Sequence, residues 1–217
     1  MKSSKNIKYY FPEEVANAIS HGLGIILSVV AIMVLMVKAA NCECQQYQMK
    51  VMIGGLIFGF SLFTLYLCST LYHALIHTPR RELFRMLDHV AIYILIAGSY
   101  TIFCLSTLDS ASGMRLLIEI WLLAIIGICC FLFLGNRFSW ISLVFYLAMG
   151  WLAVTEMDAF KNISSTSVFY LILAGGCAYT VGSIFYACQK LKWMHFIWHL
   201  FVLAGSTLHV LAACFAI

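Results

Sequence analysis

The sequence predicts an all-α integral membrane protein, a seven-transmembrane helix bundle with its N-terminus cytoplasmic and its C-terminus outside. Three observations lead to this prediction: the chain is 63% hydrophobic, only 10% of its 217 residues are charged, and the charges fall between long uncharged runs. Soluble domains average about 25% charged residues, so this composition is typical of a chain that lies in lipid. The runs without Asp, Glu, Lys or Arg are residues 15–37, 51–79, 89–108, 120–136, 138–155, 162–189 and 193–217.

Each uncharged run can cross a bilayer, because a spanning helix needs about 20 apolar residues. Backbone groups in lipid must hydrogen-bond within their own segment, which favours helices, and a β-barrel would need alternating polarity instead. We therefore expect residues 1–16 to form a cytoplasmic segment and residues 17–217 to form one transmembrane domain. The seven helices are predicted at about residues 17–38, 51–77, 84–107, 115–134, 138–155, 164–189 and 194–216.

Basic residues between the runs predict the orientation of the bundle. Nine of them lie on the side of the N-terminus and four lie on the other side. Because Lys and Arg are enriched in cytoplasmic segments, the N-terminus is predicted to be cytoplasmic. The basic residues form no long patch, so nucleic-acid binding is not indicated, and we expect a multi-pass protein of the cell membrane. The nine are Lys2, Lys5, Lys8, Arg80, Arg81, Arg85, Arg137, Lys190 and Lys192.

Four polar residues from three helices are predicted to share one layer near the inner interface. His73 lies near the end of helix 2 and Asp88 near the start of helix 3, while His195 and His199 open helix 7. At 1.5 Å per residue, all four lie within about 10 Å of the interface. Imidazoles and carboxylates are costly inside a membrane, so a shared layer of them indicates a functional site.

The spacing within this layer favours a metal site. His195 and His199 are four residues apart, so both side chains project from one face of a helix. A third imidazole, that of His73, would complete three nitrogen ligands, and three protein ligands with one open position is the arrangement of catalytic zinc. Ser69 lies one turn before His73, and both Ser69 and Asp88 are candidates to orient a water molecule or a substrate carbonyl.

Two other interpretations of this layer stay open at the level of pattern. A histidine near a helix end is commonly an interfacial polar residue that binds nothing. Ser69, His73 and Asp88 also contain the side-chain types of a serine hydrolase triad. The first two of these share one helical turn and lack the strand-turn-helix context of a nucleophilic serine, which disfavours the triad.

A further polar face precedes the first apolar run. Glu14, Asn17 and His21 are spaced as residues i, i+3 and i+7, so they lie on one side of a helix. They either support the metal site or form an amphipathic entry turn of helix 1.

Four motifs occur in order along the chain: Glu14-Val-Ala-Asn17-Ala-Ile-Ser-His21-Gly22, Ser69-x-x-x-His73, Leu87-Asp88-His89 leading to Gly98-Ser99-Tyr100, and His195-x-x-x-His199 followed by His209. This ordered set covers essentially the whole chain and resembles the progestin and adipoQ receptor family, in its bacterial hemolysin III branch. The resemblance implies a zinc ion (Zn2+) bound at the cytoplasmic side by His73, His195 and His199. It also implies that Asp88 and Ser69 lie beside the water at that zinc ion.

The resemblance extends to alkaline ceramidases, which hydrolyse lipid amides, and its bacterial branch is linked to haemolysis and to membrane-lipid homeostasis. The predicted function is therefore a zinc-dependent, ceramidase-like hydrolase of a lipid amide or ester, with a membrane lipid as its substrate. Two alternatives are a haemolytic or pore-forming membrane protein and a lipid-sensing receptor with structural zinc. The helices carry few polar residues along their length, which disfavours a pore formed by one chain.

Overall fold

The computed structural model describes residues 11–108, 111–134, 139–161 and 165–217, and within these ranges all regular structure is helical. Seven stretches in the described part of the chain are long and apolar enough to cross a membrane, and the fifth of them is Trp140–Phe160. The seven-helix prediction is thus confirmed. The helices are α1 (Phe11–Ala40), α2 (Gln45–Ala74), α3 (Arg81–Ser106), α4 (Ala111–Leu134), α5 (Ser139–Gly150), α6 (Met157–Lys161), α7 (Thr166–Ala187) and α8 (Met194–Ala216), with a 3-10 helix at Leu152–Glu156 between α5 and α6.

The first helix is longer than predicted. It begins at Phe11 rather than near residue 17, and its first turn includes Glu13 and Glu14. Carboxylates near a helix N-terminus are stabilised by the helix dipole, so the charges that end the uncharged run do not end the helix. The predicted cytoplasmic segment thus overlaps α1, and its first ten residues lie outside the described ones.

The fifth span is not the continuous helix predicted at residues 138–155. α5 ends at Gly150, and a 3-10 helix and the short α6 complete the span. Tyr100 of α3 supports this break: its hydroxyl lies 2.9 Å from the Met149 carbonyl oxygen and 3.0 Å from that of Gly150. The same hydroxyl accepts a hydrogen bond from the Ala153 N–H at 2.9 Å. A tertiary contact thus satisfies backbone groups that the helix no longer pairs.

Close packing of the spans places four helix ends together. α3 packs between α2 and α4, α1 covers the other side of α2, and α8 packs against both α7 and α1. The α2 and α3 backbones touch, since a Cβ atom on Gly54 would lie 2.9 Å from Ile102 Cα. The starts of α1, α3 and α8 and the end of α2 therefore meet at one end of the bundle.

The outer surface of the bundle is apolar. Phe133 is 89% exposed, and large hydrophobic side chains such as Ile19, Ile26 and Phe215 also project outward. A water-soluble protein rarely exposes apolar area on this scale, whereas lipid tails are a favourable environment for it. The polar side chains described next are instead turned inward, so the protein is a multi-pass membrane protein with a polar interior site.

Candidate metal centre

The structure brings together three histidines from two helices that are far apart in the chain. His73 lies in the last turn of α2, and His195 and His199 lie in the first two turns of α8. One ring nitrogen of each lies within 4.8 Å of the others. The Nε2 atoms of His73 and His195 are 3.2 Å apart. His73 and His199 are buried and His195 is half-buried, so these nitrogens converge away from solvent.

The remaining ring nitrogens of two of these histidines have hydrogen-bond partners on α1. His73 Nδ1 lies 2.6 Å from Glu14 Oε2. His199 Nδ1 lies 3.3 Å from the Asn17 carbonyl oxygen and 3.3 Å from Ser20 Oγ. A carboxylate and a carbonyl only accept, so Nδ1 is the nitrogen that carries the proton in both rings. Each Nε2 is left with the lone pair that a metal ion requires.

A further residue of α1, His21, packs against the same rings. Its imidazole stacks on that of His199, with ring centroids 3.6 Å apart and an angle of 8° between the planes. Tyr66 meets the other side of His21 edge-on, with centroids 5.1 Å apart. Glu14, Asn17 and His21 thus all contact the three-histidine cluster. They do so from the one face of α1 that their spacing defines.

A buried ion pair adjoins the cluster. Glu14 uses its second oxygen, Oε1, to accept a hydrogen bond from Arg81 Nη2 at 2.8 Å. Arg81 is only 5% exposed, and its guanidinium carbon lies 4.8 Å from the centre of the Tyr72 ring. In the sequence, Arg81 is one of the basic residues that predict orientation. Its neighbours Arg80 and Arg85 are the same residue type, so sequence alone does not mark it out.

Ser69 and Asp88 lie on the wall of a cavity that also reaches His195 and His199. Both are buried, and the Ser69 hydroxyl has no partner of normal hydrogen-bond geometry among the described residues. Three of the four residues of the predicted layer, Asp88, His195 and His199, thus line one cavity together with Ser69, whereas His73 does not line it.

The cavity extends from the histidine cluster far into the bundle. Its volume, including its open mouth, is about 1010 Å³, and it is bounded by side chains of α2, α3, α5, α7 and α8. At its deep end it reaches His209, ten residues beyond His199 and therefore about 15 Å further along α8. The wall between these points is mainly apolar, with Leu95, Leu147 and Val202 as examples. The cavity is thus elongated and mainly apolar.

Two residues on the cavity wall, His89 and Tyr186, were not predicted as site residues. His89 Nδ1 donates to the Arg85 carbonyl oxygen at 2.7 Å, which leaves its Nε2 as an acceptor. The Tyr186 hydroxyl lies 3.3 Å from that Nε2 and therefore donates to it. Tyr186 stands on α7, between uncharged neighbours, and no pattern in the sequence links it to α3.

The donor set fits a metal ion. Imidazole nitrogens suit zinc, copper, iron and nickel, and a hydrogen bond holds Nδ1 in two of the three rings, those of His73 and His199. In these two rings Nε2 keeps the lone pair with which it can bind a metal ion. His73, His195 and His199 are therefore the residues that can hold a metal ion in this structure.

The fold and the site together define the class of this protein. It is an integral membrane protein of seven spans, with a candidate metal site of three histidines beside an apolar cavity. The sequence model of the haemolysin-III related family matches residues 9–210, so the chain belongs to that family. It is 43% identical to hemolysin-3 of Bacillus cereus over 92% of this chain and 89% of that protein. It is 42% identical to the hemolysin-3 homolog of Bacillus subtilis strain 168 over 89% of each chain.

A more distant relative connects the chain to animal proteins. The monocyte to macrophage differentiation factor of Homo sapiens is 29% identical over 92% of this chain and 82% of that protein. Together with the bacterial relatives, this match confirms the family resemblance that the four sequence motifs predicted.

Proposed function

We propose that this protein is a zinc-dependent hydrolase that cleaves an amide or ester bond of a membrane lipid. The observation that carries the proposal is that His195 and His199 of the histidine cluster line the same mainly apolar cavity as Asp88 and Ser69. The cluster lies within two turns of the ends of α2 and α8. The linkage between the headgroup and the acyl chain of a lipid lies at a similar depth in a bilayer.

In this proposal His73, His195 and His199 hold the zinc ion. When bound, zinc polarises a carbonyl group and makes water a stronger acid near neutral pH. Asp88 accepts a proton from the water that attacks the carbonyl carbon. Ser69 donates a hydrogen bond to the carbonyl oxygen. When the bond from carbon to nitrogen or oxygen breaks, Asp88 returns the proton to the leaving amine or alcohol.

The cavity supplies the binding half of the proposal. An acyl chain lying along its apolar wall stays out of water, so it avoids the cost of about 0.8 kcal/mol for each CH₂ that exposure to water would bring. The cavity reaches about 15 Å beyond His199, so a lipid chain of about ten carbons or more lies inside the bundle while its linkage stays near Asp88.

Metal content tests the first half of the proposal. We expect zinc to copurify stoichiometrically with the wild-type protein in detergent and to be lost from the His73→Ala and His199→Ala variants, as measured by elemental mass spectrometry. His77→Ala is the matched control, because His77 is exposed between α2 and α3 and outside the cluster. Wild-type protein that holds no zinc after purification in zinc-containing buffer contradicts the proposal.

Lipid turnover tests the second half. Purified protein is incubated with long-chain N-acyl amides and matched acyl esters, and released fatty acid is measured. We expect Asp88→Asn to retain zinc but to lose about 10²–10⁴-fold in turnover, the usual contribution of a general base. Asp158→Asn, which changes an exposed aspartate on α6, is expected to have no effect. Equal turnover by the wild type and Asp88→Asn contradicts the catalytic role.

The name of the bacterial relatives, hemolysin-3, favours a second candidate function, lysis of membranes. A pore formed by this protein would conduct ions in planar bilayers, and its conductance would persist in His73→Ala and after chelation of zinc. A third candidate, a lipid sensor with structural zinc, is favoured by the position of the ligands on two different helices. It predicts bound zinc and a bound lipid without turnover of any amide or ester.

A further inference from the structure

We propose that Arg81 is a positioning residue of the metal centre that acts through Glu14 on His73. This inference rests on the metal-binding half of the proposed function and does not depend on hydrolysis. It assigns a role to a residue outside the four sequence motifs.

The geometry forms an unbroken chain of contacts across three helices. Arg81 Nη2 donates to Glu14 Oε1 at 2.8 Å, and Glu14 Oε2 accepts from His73 Nδ1 at 2.6 Å. Arg81 begins α3, Glu14 lies in the first turn of α1, and His73 lies in the last turn of α2. All three residues are buried. The two oxygens of one carboxylate thus face a guanidinium on one side and an imidazole on the other.

This arrangement fixes the plane of the Glu14 carboxylate. A carboxylate held by one oxygen rotates about its last side-chain bond, whereas one held by both oxygens does not. Because His73 Nδ1 follows the position of Oε2, fixing the carboxylate also fixes the imidazole and the direction of its Nε2 lone pair. Arg81 is itself held by the Tyr72 ring, 4.8 Å from its guanidinium carbon. Tyr72 directly precedes His73, so the chain of contacts closes on the same turn of α2.

Charge gives the second part of the argument. A carboxylate buried without a cation is strongly unfavourable, and removal of one partner of a buried pair leaves the other uncompensated. Without Arg81, Glu14 gains by turning toward water and away from His73. The guanidinium is a planar fork suited to a carboxylate, whereas an ammonium is a point charge on a flexible stem. Lysine at this position therefore restores the charge but only part of the orientation.

A second arginine of α3 provides a matched control. Arg85, four residues beyond Arg81, is half-buried and pairs with the exposed Glu82 rather than with Glu14. Loss of Arg85 leaves the Glu14 carboxylate paired with Arg81, so the site is not expected to change. Arg81→Met and Arg85→Met remove the same side-chain type from one helix and differ in whether Glu14 loses its partner.

The test measures zinc affinity by competition with a chromophoric chelator, in full-length protein in detergent. We expect Arg81→Met to lower the affinity about 10–100-fold, the usual effect of removing a group that orients a ligand. Arg81→Lys is expected to lie between Arg81→Met and the wild type, and Arg85→Met to match the wild type. The visible absorption of the cobalt-substituted protein gives a second readout, because its intensity reports ligand geometry; we expect it to change in Arg81→Met alone.

A double-mutant cycle with Glu14→Gln separates this role from a general effect on folding. If Arg81 acts through Glu14, then Arg81→Met lowers the affinity much less in the Glu14→Gln background than in the wild type. Additive losses overturn the proposal, and so does an unchanged affinity in Arg81→Met. Should Arg81→Met not be recovered from membranes, Arg81→Lys and Glu14→Gln carry the same test. Wild-type protein without zinc overturns the proposed function as well, whereas the outcomes above overturn this inference alone.

Discussion

Trp193 adopts a backbone conformation that is unfavourable for its residue type. Its φ angle is 67°, the only positive value at a non-glycine residue in the described part of the chain, and it directly precedes α8. A left-handed residue with a Cβ atom costs about 1–2 kcal/mol relative to glycine. Trp193 stands two residues before His195, so this strained turn sets the direction in which α8 leaves toward the histidine cluster.

The strain at Trp193 is measured by comparing two truncations. Trp193→Gly and Trp193→Ala both remove the indole and its edge contact with Phe196. Only glycine also relieves the backbone, so we expect Trp193→Gly to be more stable than Trp193→Ala by about 1 kcal/mol. Unfolding in detergent followed by the accessibility of buried cysteines measures the difference. Equal stability of the two variants would show that the turn is not strained.

Individual residues of the site differ in how far the sequence reveals them. The spacing of His195 and His199 and the position of His73 at a helix end predict that they share one depth, because helices in a bilayer fix depth. That their ring nitrogens converge is seen only in the folded chain. Glu14 was predicted as a supporting residue from its helical face. Its partner Arg81 was not, because a cluster of arginines at an interface is already explained by orientation, and only the folded chain shows which one turns inward.

At the scale of the helices, Tyr100 stabilises the break in the fifth span. Its hydroxyl contacts the carbonyl oxygens of Met149 and Gly150 and the N–H of Ala153. In Tyr100→Phe these backbone groups lose their partner in an apolar environment. We expect a loss of about 1–3 kcal/mol in the free energy of unfolding, the cost of leaving buried polar groups unsatisfied.

Tyr170→Phe is the control for Tyr100→Phe. Tyr170 lies on α7 and is 61% exposed, so loss of its hydroxyl leaves no buried group unpaired. Thermal unfolding of both variants in one detergent measures the difference, and similar values for the two would show that the break does not depend on Tyr100.

The helices themselves were largely predictable, and the break in the fifth was not. Uncharged runs predict spans because charge is excluded from lipid, and α8 has the predicted bounds of 194–216. The run at residues 138–155 contains no charge and no proline, so neither of these ends α5 at Gly150. Tyr100, fifty residues earlier, hydrogen-bonds to the break, and such a tertiary contact has no signature within the segment it affects.

At the scale of the whole molecule, the orientation in the membrane remains a prediction with a direct measurement. Cys44 precedes α2 and Cys188 follows α7, and both are exposed at opposite ends of the bundle. The excess of basic residues at the N-terminal side predicts that Cys44 lies outside and Cys188 in the cytoplasm. In single-cysteine variants, a membrane-impermeant maleimide should label Cys44 in intact cells and Cys188 only after permeabilisation. The reverse pattern would invert the bundle and place the histidine cluster near the outer surface.

The division of the histidine cluster between α2 and α8 orders the events of biosynthesis. His73 and His195 are 122 residues apart in the chain, and a ribosome needs about 6–24 s to cover that distance at about 5–20 residues per second. During this interval the nascent chain already contains Glu14, Arg81 and His73 but offers a metal ion only one of its three imidazoles. The complete ligand set exists only after the seventh span has joined the bundle. A metal ion that binds all three imidazoles therefore does so only after the seventh span has packed into the bundle.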